Sequence, residues 1–157
     1  MKIEAGIKAP AFTLMGSDGK KHSLKGYAGK TVVLYFYPKD NTPGCTKEAC
    51  GFRDLQPKFE KLNVVVLGVS RDSQDSHDKF VGKFNLPFVL LADPQAKVMT
   101  KYGAYGEKMH YGKLIVGTIR TTTIIGPDGK VSKHWKKVPQ AEVHPAKVLE
   151  FLEAQEI

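Results

Sequence analysis

The 157-residue chain is predicted to adopt an α/β fold, a central mixed β-sheet flanked by helices, with an N-terminal β-hairpin as an extension. Three observations carry this. Thr31–Tyr37 and Val64–Ser70 are continuous apolar, β-branched runs, the pattern of strands buried on both faces. Each is followed within a few residues by a segment of helical periodicity, as parallel strands joined by crossover helices require. Lastly, Thr118–Ile125 and Lys130–Trp135 flank Gly126-Pro127-Asp128-Gly129, a hairpin signal that adds antiparallel strands.

In chain order, Phe12–Leu14 and Lys21–Leu24 form a small hairpin around a Ser-Asp-Gly turn. The Thr31–Tyr37 strand ends at Pro38. A helix follows with Thr42 as N-cap and Pro43 in the first position, where its fixed φ fits and its missing N–H leaves nothing unpaired. Cys45, Ala49, Phe52, Leu55, Phe59 and Leu62 make its core-facing stripe, and Pro57 should bend it by removing a hydrogen bond to Arg53. After the Val64–Ser70 strand, a helix starts at Asp72 or Ser73 and runs to about Phe84. A short strand, Phe88–Ala92, and a brief helix, Gln95–Tyr102, come next. Gly103–Gly117 has too little periodicity to assign and reads as a loop. The final amphipathic helix runs from Glu142 or Pro145 to about Ala154.

Length and 41% hydrophobic content are those of one globular domain spanning 1–157. The segment Met1–Gly6 has no apolar signal-peptide core, and no run approaches the ~18 residues of a membrane span. No membrane partner is expected, and the expected location is the cytoplasm or another reducing compartment. The net charge of +8 comes mostly from lysines scattered among acids, with one cluster, Lys133-His134-Trp135-Lys136-Lys137. That is a solvated basic face, without the tail or finger motif of a specific nucleic-acid binder.

Chemistry concentrates around the only two cysteines, Cys45 and Cys50, in one strand-to-helix junction. The Gly44 and Cys45 amides fall in the first helical turn, where donors lack partners; with the helix dipole they favour a thiolate over a thiol. Cys45 is therefore a candidate nucleophile, against the plain alternative of a small buried hydrophobe. Residues five apart in an α-helix are rotated by roughly 140° and have Cα atoms about 9 Å apart. A disulfide tolerates at most about 7 Å. A Cys45–Cys50 bridge thus requires the first turns to unwind. Zinc would need more ligands than one cysteine pair, and His22, His77, His110, His134 and His144 are dispersed, so no metal or organic cofactor is expected.

Arginine is scarce: Arg53, Arg71 and Arg120. Arg120 stands inside the strand-like Thr118–Ile125, which suits either an exposed strand face or a site that faces an anion. The residues alone leave both readings open.

Pro38, Thr42 and Cys45 reproduce a Pro-x-x-x-Thr-x-x-Cys pattern, and Thr42–Asp54 reads Thr-Pro-Gly-Cys-Thr-Lys-Glu-Ala-Cys-Gly-Phe-Arg-Asp. With Gly6-x-x-Ala9-Pro10-x-Phe12, Tyr111-Gly112-Lys113, Arg120 and Asp128-Gly129-Lys130, this resembles the peroxiredoxins, specifically the bacterioferritin comigratory protein or peroxiredoxin Q subgroup. The resemblance covers nearly the whole chain, and Thr123 departs from it where an aromatic residue is expected. It implies a thioredoxin-like fold and a thiol peroxidase for hydrogen peroxide and alkyl hydroperoxides. Cys45 would be oxidised to a sulfenic acid and Cys50 would resolve it as an intramolecular disulfide. Thr42 would orient peroxide, Pro38 would shield the site from water, Arg120 would stabilise the thiolate, and the Gly44 and Cys45 amides would hold peroxide oxygens. A thioredoxin-type reductant would recycle a monomer. Two other readings stay open: a general thiol–disulfide oxidoreductase, though Cys-x-x-Cys is absent, and a basic binding module resting on the +8 charge.

Overall fold

A computed structural model describes residues 2–155, so Met1, Glu156 and Ile157 lie outside the described residues. Its centre is a seven-stranded mixed sheet in the order β2-β1-β5-β4-β3-β8-β9. The apolar runs β3 (Thr31–Phe36), β4 (Val64–Ser70) and β5 (Val89–Ala92) are its parallel core. The N-terminal hairpin, β1 (Thr13–Gly16) and β2 (Lys21–Ser23), is no appendage, because β1 pairs antiparallel with β5 and completes one edge. On the other side β8 (Thr121–Ile125) pairs antiparallel with β3, and β9 (Val131–Trp135) closes the second edge.

The sheet is buried on both faces, which is why β3 and β4 show no polar alternation. One face presents Val33, Tyr35 and Tyr37 to Phe52 of α1 (Pro43–Asp54), Phe59 of α2 (Gln56–Lys61), Phe80 of α3 (Gln74–Phe84) and Val148 of α5 (His144–Ala154). The opposite face packs Val32, Leu34 and Phe36 against Met99 of α4 (Lys97–Lys101), Tyr102 and the N-terminal Phe12. Period-2 side-chain alternation thus sends β3 into two separate cores.

Three sequence expectations are corrected. The cysteine helix does not merely bend at Pro57. It divides into α1 and α2 at Leu55, since Pro57 has no N–H to continue the ladder and occupies the first turn of the new helix instead. Gly103–Gly117 is not a loop but the hairpin of β6 (Tyr105–His110) and β7 (Lys113–Thr118), turning through Tyr111 and Gly112, both at positive φ. This ribbon forms a separate two-stranded sheet, so no core face imposes the alternation that marks a strand in sequence. Finally, Arg120 is not inside a strand: β8 begins at Thr121, and Arg120 lies in the short passage from β7.

Candidate active site

β3 runs out at Phe36, and the loop 37–42 carries the chain to α1 at the C-terminal ends of the parallel strands, a usual location for sites in open α/β sheets. A buried polar network fixes this loop. The Asp40 carboxylate accepts hydrogen bonds from the Tyr37 hydroxyl, from Ser76 Oγ at 2.8 Å and from His77 Nδ1 at 2.7 Å. The Asp40 amide donates to Asp72 Oδ2 at 2.8 Å, and His77 Nε2 faces the Leu91 carbonyl at 3.0 Å. Asp40, Asp72 and His77 are spaced closely enough to hold a cation, but their ligating atoms are already engaged by protein partners. The network anchors the loop to α3, to Asp72 just beyond β4 and to β5, two residues before Thr42.

Thr42 occupies the N-cap with extended backbone (φ −97°, ψ 157°), but its side chain makes no cap bond. Its hydroxyl donates instead to the Lys39 carbonyl at 2.8 Å, which commits its proton and leaves its lone pairs free. The first helical bond runs from the Thr46 amide to the Thr42 carbonyl at 2.8 Å. The Gly44 and Cys45 amides precede it and have no hydrogen-bond acceptor among the described residues. These donors flank Cys45, which is 1% exposed, so its contacts are little diluted by solvent.

Arg120 reaches the sulfur. Its Nη2 donates to Cys45 Sγ at 3.3 Å, while Nη1 donates to Glu48 Oε1 at 2.6 Å. Burial works against the guanidinium charge, but Glu48 and Cys45 beside it prevail and hold it protonated more firmly than usual. Glu48 was not legible as a site residue. Its signal was a carboxylate three residues after Cys45 within an apolar stripe, where a charge survives only if paired. Its side chain is fully buried, and burial pushes its carboxyl up to about 7 against the pull of Arg120. Its Oε2 and the Tyr35 hydroxyl have no hydrogen-bond partner among the described residues. A Cβ on Gly44 would sit 3.4 Å from Arg120 Nη2, so glycine lets the guanidinium close in.

Of the remaining expected residues, Pro38 is exposed and borders a groove that also contains Arg120. Cys50 is half-buried within the same unbroken α1 as Cys45, and both thiols are free. Thr123 lies on the face of β8 opposite Thr122 and Ile124, away from Arg120, and its hydroxyl pairs with His134 Nδ1 at 2.8 Å. The missing aromatic ring therefore leaves the packing around Arg120 untouched.

A protein-family model described as AhpC/TSA matches residues 5–134. The chain belongs to the AhpC/TSA family. Within it, Peroxiredoxin Bcp of Bacillus subtilis is 46% identical over 152 residues, covering 97% of this chain and 96% of its own. The structure of Xanthomonas campestris bacterioferritin comigratory protein, studied for alkyl peroxide reduction, superposes with a TM-score of 0.90 at 38% identity, covering 98% of this chain and 100% of the other. Xylella fastidiosa PrxQ superposes with a TM-score of 0.92 at 36% identity, over 100% of this chain and 99% of its own. This AhpC/TSA chain is accordingly a peroxiredoxin with the thioredoxin-like fold, a thiol-dependent peroxidase.

Proposed function

We propose that this peroxiredoxin reduces hydrogen peroxide and alkyl hydroperoxides through Cys45, with Cys50 as the resolving thiol and a thioredoxin-type dithiol as reductant. The observation that carries the reading is Arg120 Nη2 at 3.3 Å from Cys45 Sγ, at a helix start with two unpaired amides. That arrangement stabilises both a thiolate and the negative charge that develops on a departing oxygen.

The Cys45 thiolate attacks one peroxide oxygen; an S–O bond forms, the O–O bond breaks, and the leaving oxygen departs with a proton as water or alcohol. The sulfur is oxidised by two electrons to a sulfenic acid. Thr42, its hydroxyl proton engaged in the hydrogen bond it donates to the Lys39 carbonyl, serves as acceptor for the peroxide O–H, while Arg120 and the Gly44 and Cys45 amides donate to the oxygens. Pro38 edges the opening and limits water. Cys50 then attacks the sulfenic sulfur once α1 unwinds, forming the disulfide and releasing water. A dithiol returns two electrons and two protons and becomes a disulfide itself.

An intrachain partner for Cys45 lets a monomer complete this cycle, and a reversible pair suits a reducing compartment such as the cytoplasm. Cys45→Ser tests the proposal. It should abolish peroxide turnover while leaving the fold intact, and a variant that turned over peroxide at the parent rate would refute the assignment.

A further inference from the structure

The β6–β7 ribbon forms a sheet separate from the central one and carries most of the large hydrophobic side chains left exposed among the described residues. Of the six large hydrophobic residues exposed among the described residues, five are on it: Met109, Tyr111, Leu114, Ile115 and Val116. They are sorted by face. Met109 pairs with Leu114 and Glu107 with Val116 on one side, while Lys108 pairs with Ile115 and His110 with Lys113 on the other. Met109 is 66% exposed and Leu114 and Val116 are 63% exposed, well beyond a scattering of single apolar residues, and such patches mark interaction surfaces.

The patch is continuous with the site. The ribbon leads through Ile119 to Arg120, and a groove of about 520 Å³ is lined by Met109 of the ribbon together with Pro38, Arg120, Lys136 and Lys137. Three lysines, Lys108, Lys136 and Lys137, line it with a single carboxylate, Glu107. With a net charge of +8, this surface favours an acidic occupant and disfavours a second copy of itself.

We infer that the apolar face of β6–β7 and the lysines across the groove form the docking surface for the reductant, a dithiol protein with an apolar patch rimmed by acidic residues. The inference rests on the peroxidase cycle above, which needs an external dithiol protein to approach the Cys45 end of the molecule. A single ribbon gives a small contact, as suits transient electron-transfer partners that must leave after each turnover.

The test is steady-state peroxide turnover driven either by a thioredoxin of net negative charge or by dithiothreitol. A Met109→Ser/Leu114→Ser/Val116→Ser variant should raise the KM for thioredoxin on the order of tenfold while dithiothreitol-driven turnover stays unchanged. A Lys136→Glu/Lys137→Glu variant should raise the same KM and flatten its salt dependence. If the parent is active with both reductants and neither variant moves the thioredoxin KM, the docking surface is overturned. It is equally overturned if the apolar variant abolishes binding to anionic lipid vesicles, or self-association by sedimentation, with that KM unmoved. A parent inert with both reductants would overturn the peroxidase reading, and the docking surface with it.

Discussion

At Cys45, one guanidinium does two jobs, because Arg120 donates one nitrogen to the sulfur and the other to Glu48. A planar fork with donors in fixed directions can do this, whereas an ammonium on a flexible stem cannot hold both contacts at once. Arg120→Lys should therefore lower kcat/KM for peroxide by roughly 10²-fold, the usual cost of losing one preorganised donor, with little change in thermal stability. Stopped-flow oxidation of the reduced protein measures this directly, and parental rates in the lysine variant would contradict the two-contact role. The placement of Cys45 at a helix start was legible in sequence because cap, proline and cysteine spacing are local signals. Glu48 was not, because its importance lies in a tertiary ion pair with a residue 72 positions away.

Among the elements, α1 has conflicting duties in the proposed cycle: it must present Cys45 and yet yield so that Cys50 can reach it. Its seat on α5 is tight at Gly51, where an added Cβ would approach Pro145 Cγ to 2.9 Å. Gly51→Ala should lift α1 from α5 and cost about 1–3 kcal/mol of stability, the range for overpacking a close contact. Urea titration checks this, and an unchanged or higher midpoint would show that the contact gives way freely. The parallel strands, α3 and the β8–β9 turn could be read from sequence, since burial on both faces and turn residues leave plain patterns. The β6–β7 ribbon could not, because strands without a core behind them have no in-out alternation to reveal. The break at Leu55 was also hidden, as sequence marks that Pro57 disturbs a helix but not whether the chain bends or restarts.

On the scale of the whole molecule, two buried groups give stability opposite dependences on pH. The Glu48 carboxyl, raised from 4.5 to about 7, keeps a proton in the folded chain that the unfolded chain loses between those values, so its contribution falls as pH rises. His144, lowered from 6.5 to about 4 by burial, with Lys147 and Arg120 adding, refuses a proton that the unfolded chain accepts, so its contribution falls as pH drops through that window. Measured as Tm relative to the parent, Glu48→Gln should gain as pH rises from 4.5 to 7, and His144→Asn should lose as pH rises from 4 to 6.5. Parallel pH curves for parent and variants would contradict both assignments.

The same fold that buries Cys45 at a helix start keeps Cys50 in that helix, so chemistry at the first must be followed by unwinding before the second can take part. Mass mapping of the reduced protein after a stoichiometric hydrogen peroxide pulse tests this most directly. A Cys45–Cys50 disulfide within single chains is the predicted product, replaced in Cys50→Ser by a Cys45 sulfenic acid. Two unmodified thiols after the pulse, or oxidation at Cys50 with Cys45 intact, would contradict the account.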